Sequence, residues 1–424
     1  MKPFLPLFQT KFEMIAAIAV LGVIFLINTG FKYLDYIEFK SHNWVTIRGN
    51  IVNITHLIAK NGREYQRLSI KNDDGLVLGI TYMSKEKLKQ NMRVGFRIKT
   101  NEVDFISFFA KRFYATTPVL VWANEINDTS VKSKLQDILH SQHKDTLTKE
   151  LYGALFLATP ISKTLREQVQ RWGIAHIIAI SGFHLSILFG FLYFMSKPVY
   201  TFFQSRYFPY RNVKWDLSLI IFIFLGYYLW LIDMTPSFLR SYAMGVFGFL
   251  FLWRGIHVLS FEMLFFTSAF LVAFFPQLIF NIGFILSVFG VFFIFVFIKH
   301  FGKTLKVWQS AILLNFWLFA AMNPIVHYWF GVINLQQWAS IPLSIFFIVF
   351  YPAIVFLHAI GFGGIFDNFM VQFLSYESKS IIFNTPFWLL AIYLIFAALS
   401  VYSPIFMFLI AIMGIGYFSF FLFS

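Results

Sequence analysis

Cysteine is absent from this chain of 424 residues, and charged residues are scarce. Without cysteine the chain can form no disulfide, no thiolate metal site and no cysteine nucleophile. Only 13% of the residues are charged, whereas 58% are hydrophobic and 59 are phenylalanine. This composition excludes an ordinary soluble globule and indicates a membrane protein.

Motifs for metal binding and nucleotide hydrolysis are also missing. The ten histidines form neither a His-x-His-x-Asp-His nor a His-Glu-x-x-His pattern, and no Gly-x-x-x-x-Gly-Lys-Ser/Thr loop occurs. We therefore expect no metal, no cofactor, no nuclease or ATPase activity, and no motor within these residues. The net charge of +14 suits a polyanionic partner, although basic loops of membrane proteins mostly set their topology.

Charge divides the chain into a polar part and a membrane part. Residues 31–150 contain 19 Lys and Arg with 13 Asp and Glu, whereas residues 151–424 contain only 13 and 6. We predict a transmembrane anchor at 1–30, a β-rich extracytoplasmic domain at 31–128, amphipathic interfacial helices at 129–172 and a transmembrane domain at 173–424. No small-x-small cleavage site follows the first apolar run, so we expect that anchor to be retained.

Short alternating runs between residues 45 and 121 predict about five β-strands. A small barrel of the OB type is the natural candidate, because its strand face and loops bind oligonucleotides. Basic residues that could contact phosphates are Arg48, Arg63, Arg67, Arg97, Lys111 and Arg112. Interleaved aromatic residues that could stack on bases are Tyr65, Tyr82, Phe96, Phe105 and Phe113. The alternative is an ordinary solvated barrel with a basic surface and an aromatic core.

Apolar runs predict nine further spans, and with the anchor they make about ten. They lie at about 173–195, 217–233, 237–253, 259–275, 281–298, 307–322, 338–358, 386–400 and 404–423. If the β-rich domain is outside, the inward loops contain the lysines and arginines near 197–214, 254, 299–306 and 379, and the outward short loops contain none. This asymmetry predicts that both termini are cytoplasmic. Residues 361–384 could form a re-entrant or interfacial helix.

Polar residues interrupt the first of these spans. Residues 173–187 place His176, Ser181 and His184 in a segment that is otherwise apolar, and Gly182 weakens the helix there. Because polar groups in hydrocarbon need partners, we expect a broken helix that faces other helices or a water-filled space.

Three stretches of sequence carry a resemblance to a known family. Residues 173–187, with the lead-ins at 151–158 and 165–176, are followed by Pro236-Ser-Phe-Leu-Arg240 and by Asn281-Ile-Gly-Phe-Ile-Leu-Ser287. In this order they resemble the motifs of the ComEC-type competence family, whose members are proposed to pass single-stranded DNA through the cytoplasmic membrane. Many members resemble a fusion with a C-terminal metallo-β-lactamase-like domain, which we do not expect in this sequence.

The resemblance implies a channel for DNA uptake in the bacterial cytoplasmic membrane, with an OB-like domain outside. It implies that the partners are single-stranded DNA, a periplasmic DNA receptor, and a cytoplasmic helicase motor or single-strand binding protein. Membrane lipid and further copies of the chain, in a homo-oligomer, are the other partners we expect. The motif residues that would border the DNA path are His176, Ser181, His184 and Arg240.

Each of these residues also has other interpretations. The two histidines and the serine could simply hydrogen-bond between helices, and Arg240 could extend to the membrane interface and pair with Asp233. An intramembrane hydrolase with Ser181 as nucleophile is a second function, although one Ser/His pair on one helix is not the usual two-helix dyad. A secondary transporter of a small anionic or lipidic solute is a third, and it predicts paired half-helices in two related halves.

Overall fold

The computed structural model describes residues 6–58, 64–72, 76–82, 88, 92–115, 118–125, 130–256, 258–302 and 304–423. These residues form two compact units. The β unit comprises Thr10–Ser130 with Ala269–Asn281, and the helical unit comprises Met1–Gln9, Val131–Ser268 and Ile282–Ser424. One boundary between the two units therefore lies near residue 130, and the predicted domain bounds stay a prediction.

The β unit begins with a long apolar helix, α1, at Lys11–Ser41, which extends past the predicted anchor boundary at residue 30. Thr10 caps this helix by accepting a hydrogen bond from the backbone N–H of Glu13. The remaining elements are β1 at Trp44–Ile58, β2 at Glu64–Lys71, β3 at Val77–Tyr82, β4 at Met92–Lys99, α2 at Phe105–Phe109, β5 at Arg112–Ala115 and β6 at Val119–Glu125.

These strands form one six-stranded sheet in the order β5-β3-β2-β1-β4-β6. The β3 and β5 strands pair in parallel, and the other neighbours are antiparallel. Alternation along β4 buries Val94, Phe96 and Ile98, whereas Arg97 is exposed. Six strands replace the expected five, and the described pairs do not join β5 to β6, so barrel closure stays a prediction.

In the described residues, the helical unit contains the α-helices that follow residue 130, together with two short strands. In order, they are α3 at Val131–Ser141, α4 at Thr146–Leu157, α5 at Lys163–Arg171, α6 at Ala175–Ile178, α7 at Gly182–Tyr207, α8 at Val213–Leu231, α9 at Pro236–Trp253, α10 at Phe261–Phe274 (its last residues belong to the β unit), α11 at Ile282–Phe301, α12 at Val307–Trp329, β7 at Val332–Asn334, α13 at Ser340–Ala359, α14 at Asp367–Ser375, β8 at Ser380–Ile382, α15 at Phe387–Leu399 and α16 at Pro404–Phe423.

Six helices in the described part of the chain are long and apolar enough to cross a membrane: α1, α7, α8, α11, α12 and the 335–359 segment that contains α13. The α10, α15 and α16 helices are apolar but contribute only shorter segments. The 13 residues of α15 cover about 20 Å at 1.5 Å per residue, less than the roughly 30 Å of a bilayer core. The protein is thus mostly helical with several membrane-spanning candidates, and the count of ten stays a prediction.

The region predicted to hold interfacial helices contains α3, α4 and α5. The α4 helix is buried rather than exposed along one face, with Tyr152 and Leu155 in a core that also contains Tyr351 and Ile354 of α13. Apolar side chains around α4 therefore attach it to the membrane helices.

A two-stranded ribbon joins the two ends of the segment that contains α13 and α14. The β7 strand pairs antiparallel with β8, and the Thr385 N–H donates to the His327 carbonyl at 3.1 Å. The end of α12 and the start of α15 are therefore adjacent. Because Lys379 directly precedes β8, which pairs with residues 332–334, the predicted inward Lys379 and the predicted outward loop 323–337 cannot both be correct.

The α16 helix packs on α12 and runs in the same direction. Gly414 lies against the backbone of Ala320, and three residues later Tyr417 accepts a hydrogen bond from Thr385, the residue bonded to His327. Both helices therefore end at the same edge of the helical unit.

Candidate functional site

The predicted break in the first motif lies between α6 and α7. The α6 helix ends at Ile178, and Ala179 and Ser181 have extended backbone angles before α7 starts at Gly182. The Ser181 hydroxyl caps α7 by accepting from the Phe183 N–H at 3.3 Å. The break is therefore a regular helix start that the local sequence encodes.

His184 completes this cap with its ring. Its Nδ1 accepts the Ser181 backbone N–H at 3.3 Å, which assigns the ring proton to Nε2. That Nε2 is buried and has no hydrogen-bond partner in the part of the chain that the structure describes. The rings of Phe347 and Tyr351 pack against the His184 ring, with distances of 5.1 and 4.8 Å between the ring centroids.

His176 forms hydrogen bonds to other partners than His184 does, and its side chain is exposed. Its ring connects the Gly173 carbonyl at 3.0 Å with the Ser344 hydroxyl of α13 at 3.1 Å, and Ser344 donates to the Ser340 carbonyl. His176 and His184 thus both contact α13, but they make no hydrogen bond to each other.

Gly182 brings the start of α7 against α9. A Cβ at Gly182 would lie 2.2 Å from the Ser241 hydroxyl oxygen and 3.4 Å from the Arg240 Nη2. Any side chain here would push α7 and α9 apart, so the close approach requires glycine.

Arg240 is the buried charge at this contact, with an exposed fraction of 3%. Its Nε donates to the Ser287 hydroxyl of α11 at 2.8 Å and its Nη2 to Ser241 at 2.8 Å, and its Nη1 lies 3.7 Å from the Met244 sulfur. All three partners are neutral. In the described residues no carboxylate balances the charge.

The three sequence motifs therefore meet at one place. Gly182 comes from the first motif, Arg240 from the second and Ser287 from the third, and each belongs to a different helix. The alternative in which Arg240 extends to the interface and pairs with Asp233 is wrong, because Asp233 pairs with Lys132 at 2.8 Å and Arg240 points into the unit.

The basic candidates of the β unit occupy one face of its sheet. Arg48, Arg67, Arg97 and Arg112 are exposed, and the strand registers place all four on the face opposite the core. Lys111 is half-buried in the turn before β5. Arg63 lies outside the described residues.

The aromatic residues of this face differ from those expected. Phe96 and Phe113 are buried in the sheet core, so their predicted role in base stacking is wrong. The accessible face instead contains Trp44, Tyr114 and Trp122. The Trp44 ring lies 5.7 Å from the Arg97 guanidinium carbon, Tyr114 lies 5.9 Å from that of Arg67, and Trp122 covers Gly95. Basic and aromatic groups thus alternate on this surface.

A second polar cluster in the helical unit has no counterpart in the sequence predictions. His143, from the turn between α3 and α4, lies with its Nδ1 2.8 Å from an Asp367 carboxylate oxygen and its Nε2 3.0 Å from the His358 Nε2. The His358 Nδ1 lies 2.7 Å from the Ile354 carbonyl and must donate to it. The His143 Nδ1 then donates to the Asp367 carboxylate and one proton lies between the two Nε2 atoms, so the three side chains form one hydrogen-bonded cluster.

Tyr152 stacks on the His143 ring at 4.6 Å and is fully buried. Burial, together with the nearby Asp367 carboxylate, raises the pKa of its hydroxyl, so the ring stays neutral. More than 200 residues separate His143 from His358 and Asp367. No local spacing could have linked them, although each is a polar residue close to apolar helices.

Comparison with known proteins places most of the helical unit in one family. A family model described as competence protein matches residues 158–423. An uncharacterized protein of Aquifex aeolicus (strain VF5) is 27% identical over 245 residues, which are 54% of this chain and 50% of that protein. The chain thus spans about half the length of this relative. No solved structure matches the chain.

Proposed function

Because the chain belongs to the competence protein family, we propose that it forms the channel through which single-stranded DNA enters the bacterial cytoplasm during natural transformation. The observation that carries this proposal is the unbalanced charge of Arg240 where the three motifs meet. A buried guanidinium without a carboxylate costs folding free energy, so its retention fits a task in binding an anion.

A phosphodiester is the anion that suits this arrangement. DNA cannot enter hydrocarbon, so its path needs water and polar walls. The Arg240 guanidinium can donate bidentate hydrogen bonds to a phosphate. Hydroxyl groups without further charge come from Ser241, Ser287 and the nearby cap residue Ser181. A single fixed charge attracts successive phosphates without holding any of them permanently.

The described conformation is closed at Arg240, which is almost fully buried. Passage of a strand would therefore require α7 and α9 to separate at the contact between Gly182 and Ser241. The break at residues 179–181 allows this, because α7 can tilt there without distorting α6.

The basic and aromatic face of the β unit would bind the strand first. Arg48, Arg67, Arg97 and Arg112 could contact phosphates, and Trp44, Tyr114 and Trp122 could stack on bases. A periplasmic receptor would deliver the DNA, and a cytoplasmic helicase or single-strand binding protein would draw it inward.

The arrangement of α12 and α16 changes the proposed orientation in the cytoplasmic membrane. Lys299 and Lys306 both precede α12, and by the positive-inside rule they favour a cytoplasmic position for its start. The end of α12 is then outside, and α16 ends beside it. We accordingly propose an extracytoplasmic end for α16, instead of the cytoplasmic one expected from loop charge.

Reporter fusions test this orientation. Alkaline phosphatase fused after residue 424 should be active and a fluorescent protein fused there should be dark, because the first requires export and the second cannot fold after export. Fusions after Lys306 serve as the opposite control. Fluorescence at the C-terminus would contradict the assignment.

A deletion strain of a naturally transformable host tests the function. Labelled duplex DNA should still become resistant to external nuclease, which reports arrival in the periplasm, but no label should reach cytoplasmic DNA. The wild-type gene should restore transfer. Normal transformation of the deletion strain would refute the channel.

The geometry of Ser181 does not favour the hydrolase alternative. Its hydroxyl caps α7, and the second nitrogen of His184 faces aromatic rings instead of an orienting carboxylate. A serine-directed phosphonate that labels the wild type but not Ser181→Ala would reverse this judgement. Uptake of a small labelled anion by vesicles that exclude DNA would instead support a transporter.

A further inference from the structure

A groove of about 490 Å³ lies where α7 ends and α8 begins. Its walls include Tyr193 and Lys197 of α7, Tyr210 and Arg211 of the connecting turn, and Lys214 in the first turn of α8. The motifs that meet at Arg240 lie at the other end of α7, so this groove is separate from the proposed DNA path.

Only part of the positive charge in the groove is balanced within the protein. Arg211 forms a bidentate salt bridge with Asp216, in which its Nε and Nη2 lie 2.7 and 2.8 Å from the two carboxylate oxygens. The Tyr200 hydroxyl also donates to Asp216, at 2.6 Å. Lys197 and Lys214 have no acidic partner among the residues that the structure describes. Two ammonium groups therefore face the groove without a counter-charge.

The surface beside the groove is apolar and accessible. On α7, Phe194, Val199 and Phe202 have exposed fractions of 75%, 60% and 66%, and Tyr210 reaches 84%. In a helix that spans a membrane, such side chains contact acyl chains, and tyrosines mark the level of the headgroups. The groove therefore combines cations with an adjoining acyl-chain surface.

We propose that this groove binds the headgroup of an anionic phospholipid. The phosphate would lie between Lys197 and Lys214, and an acyl chain would follow the apolar side of α7. A soluble phosphate compound or a nucleic-acid strand would contact the lysines but not Phe194 and Phe202. A lipid would contact both the lysines and these apolar side chains, so we favour a lipid.

Native mass spectrometry of the purified full chain tests this site. Phosphatidylglycerol and cardiolipin are each compared with phosphatidylcholine of the same acyl chains. We expect anionic lipids to remain bound to the wild type, and their retention to fall about tenfold in the double variant Lys197→Gln and Lys214→Gln. The matched control is Arg254→Gln with Lys306→Gln, which removes the same charge elsewhere and should keep wild-type retention. The thermal transitions of the three proteins should agree.

Three results would overturn the proposal. The first is equal loss of lipid in the control variant, which would mean that net charge alone acts. The second is equal retention of phosphatidylcholine. The third is displacement of the lipid by glycerol phosphate or by a single-stranded oligonucleotide at similar phosphate concentration, which would assign the groove to a soluble ligand.

Discussion

Two buried polar clusters in the helical unit differ in whether a carboxylate lies beside their nitrogen groups. In the cluster of His143, His358 and Asp367, the His143 ring has a carboxylate at 2.8 Å and a second imidazole nitrogen at 3.0 Å. In the cluster of Arg240, the guanidinium has hydroxyls and a sulfur but no carboxylate in the described residues. The first cluster thus contains its own carboxylate, whereas the second contains a cation that can still bind an anion.

This difference separates a structural role from a functional one. The cluster that contains a carboxylate connects the turn between α3 and α4 to the end of α13 and the start of α14. Its hydrogen bonds are made within the protein, so a ligand would not stabilise it further. An unbalanced cation lowers the stability of the closed state and becomes favourable when an anion arrives. Stability and transfer should therefore respond in opposite ways when the two clusters are altered.

The largest effect on folding should come from Asp367→Asn. The change removes the buried carboxylate that accepts from the His143 Nδ1, and the free energy of unfolding should fall by about 1–3 kcal/mol. Denaturation of the purified protein in detergent measures this. DNA transfer per folded molecule should stay near the wild-type value. Loss of transfer in a fully stable variant would contradict the structural role.

The next effect should come from Arg240→Met, and it should appear in transfer. We expect DNA entry to fall about 100-fold, equivalent to about 2.7 kcal/mol, while the free energy of unfolding stays equal or rises. Arg254→Met, at the exposed end of the same helix, is the control and should transform normally. If Arg240→Met only destabilised the protein, the contrast between the two clusters would disappear.

A smaller effect should follow Gly182→Ala, because the new Cβ would meet the Ser241 hydroxyl oxygen at 2.2 Å. The shift of α7 away from α9 should reduce transfer about tenfold. Adding Ser241→Ala should restore part of it by removing the nearest atom. Identical transfer in the single and double variants would show that this contact does not set the position of Arg240.

Much of the candidate site can be predicted from sequence because its signals are local. Gly182 beside Ser181 indicates a helix start, and a charge at Arg240 in an apolar run demands a partner. Alternation in β4 also contains the answer for Phe96, since its neighbour Arg97 must point to water and Phe96 therefore to the core. That alternation by itself excludes Phe96 as a residue that stacks on bases.

The remaining features depend on contacts between distant residues. His143 and His358 meet only because α4 is buried against α13, and the groove charge depends on the pairing of Arg211 with Asp216. Helix ends are a further feature that hydropathy does not mark, since the span predicted at 386–400 corresponds to a helix of 13 residues, α15. The direction of α16 follows from its packing on α12, which no loop charge reports.

The ribbon of β7 and β8 has a consequence for how the C-terminal half can change. It closes the stretch between residues 335 and 379 into a loop whose entry and exit coincide. Such a stretch can hinge, lengthen or be replaced as a single piece while α12 and α15 keep their positions on either side of it.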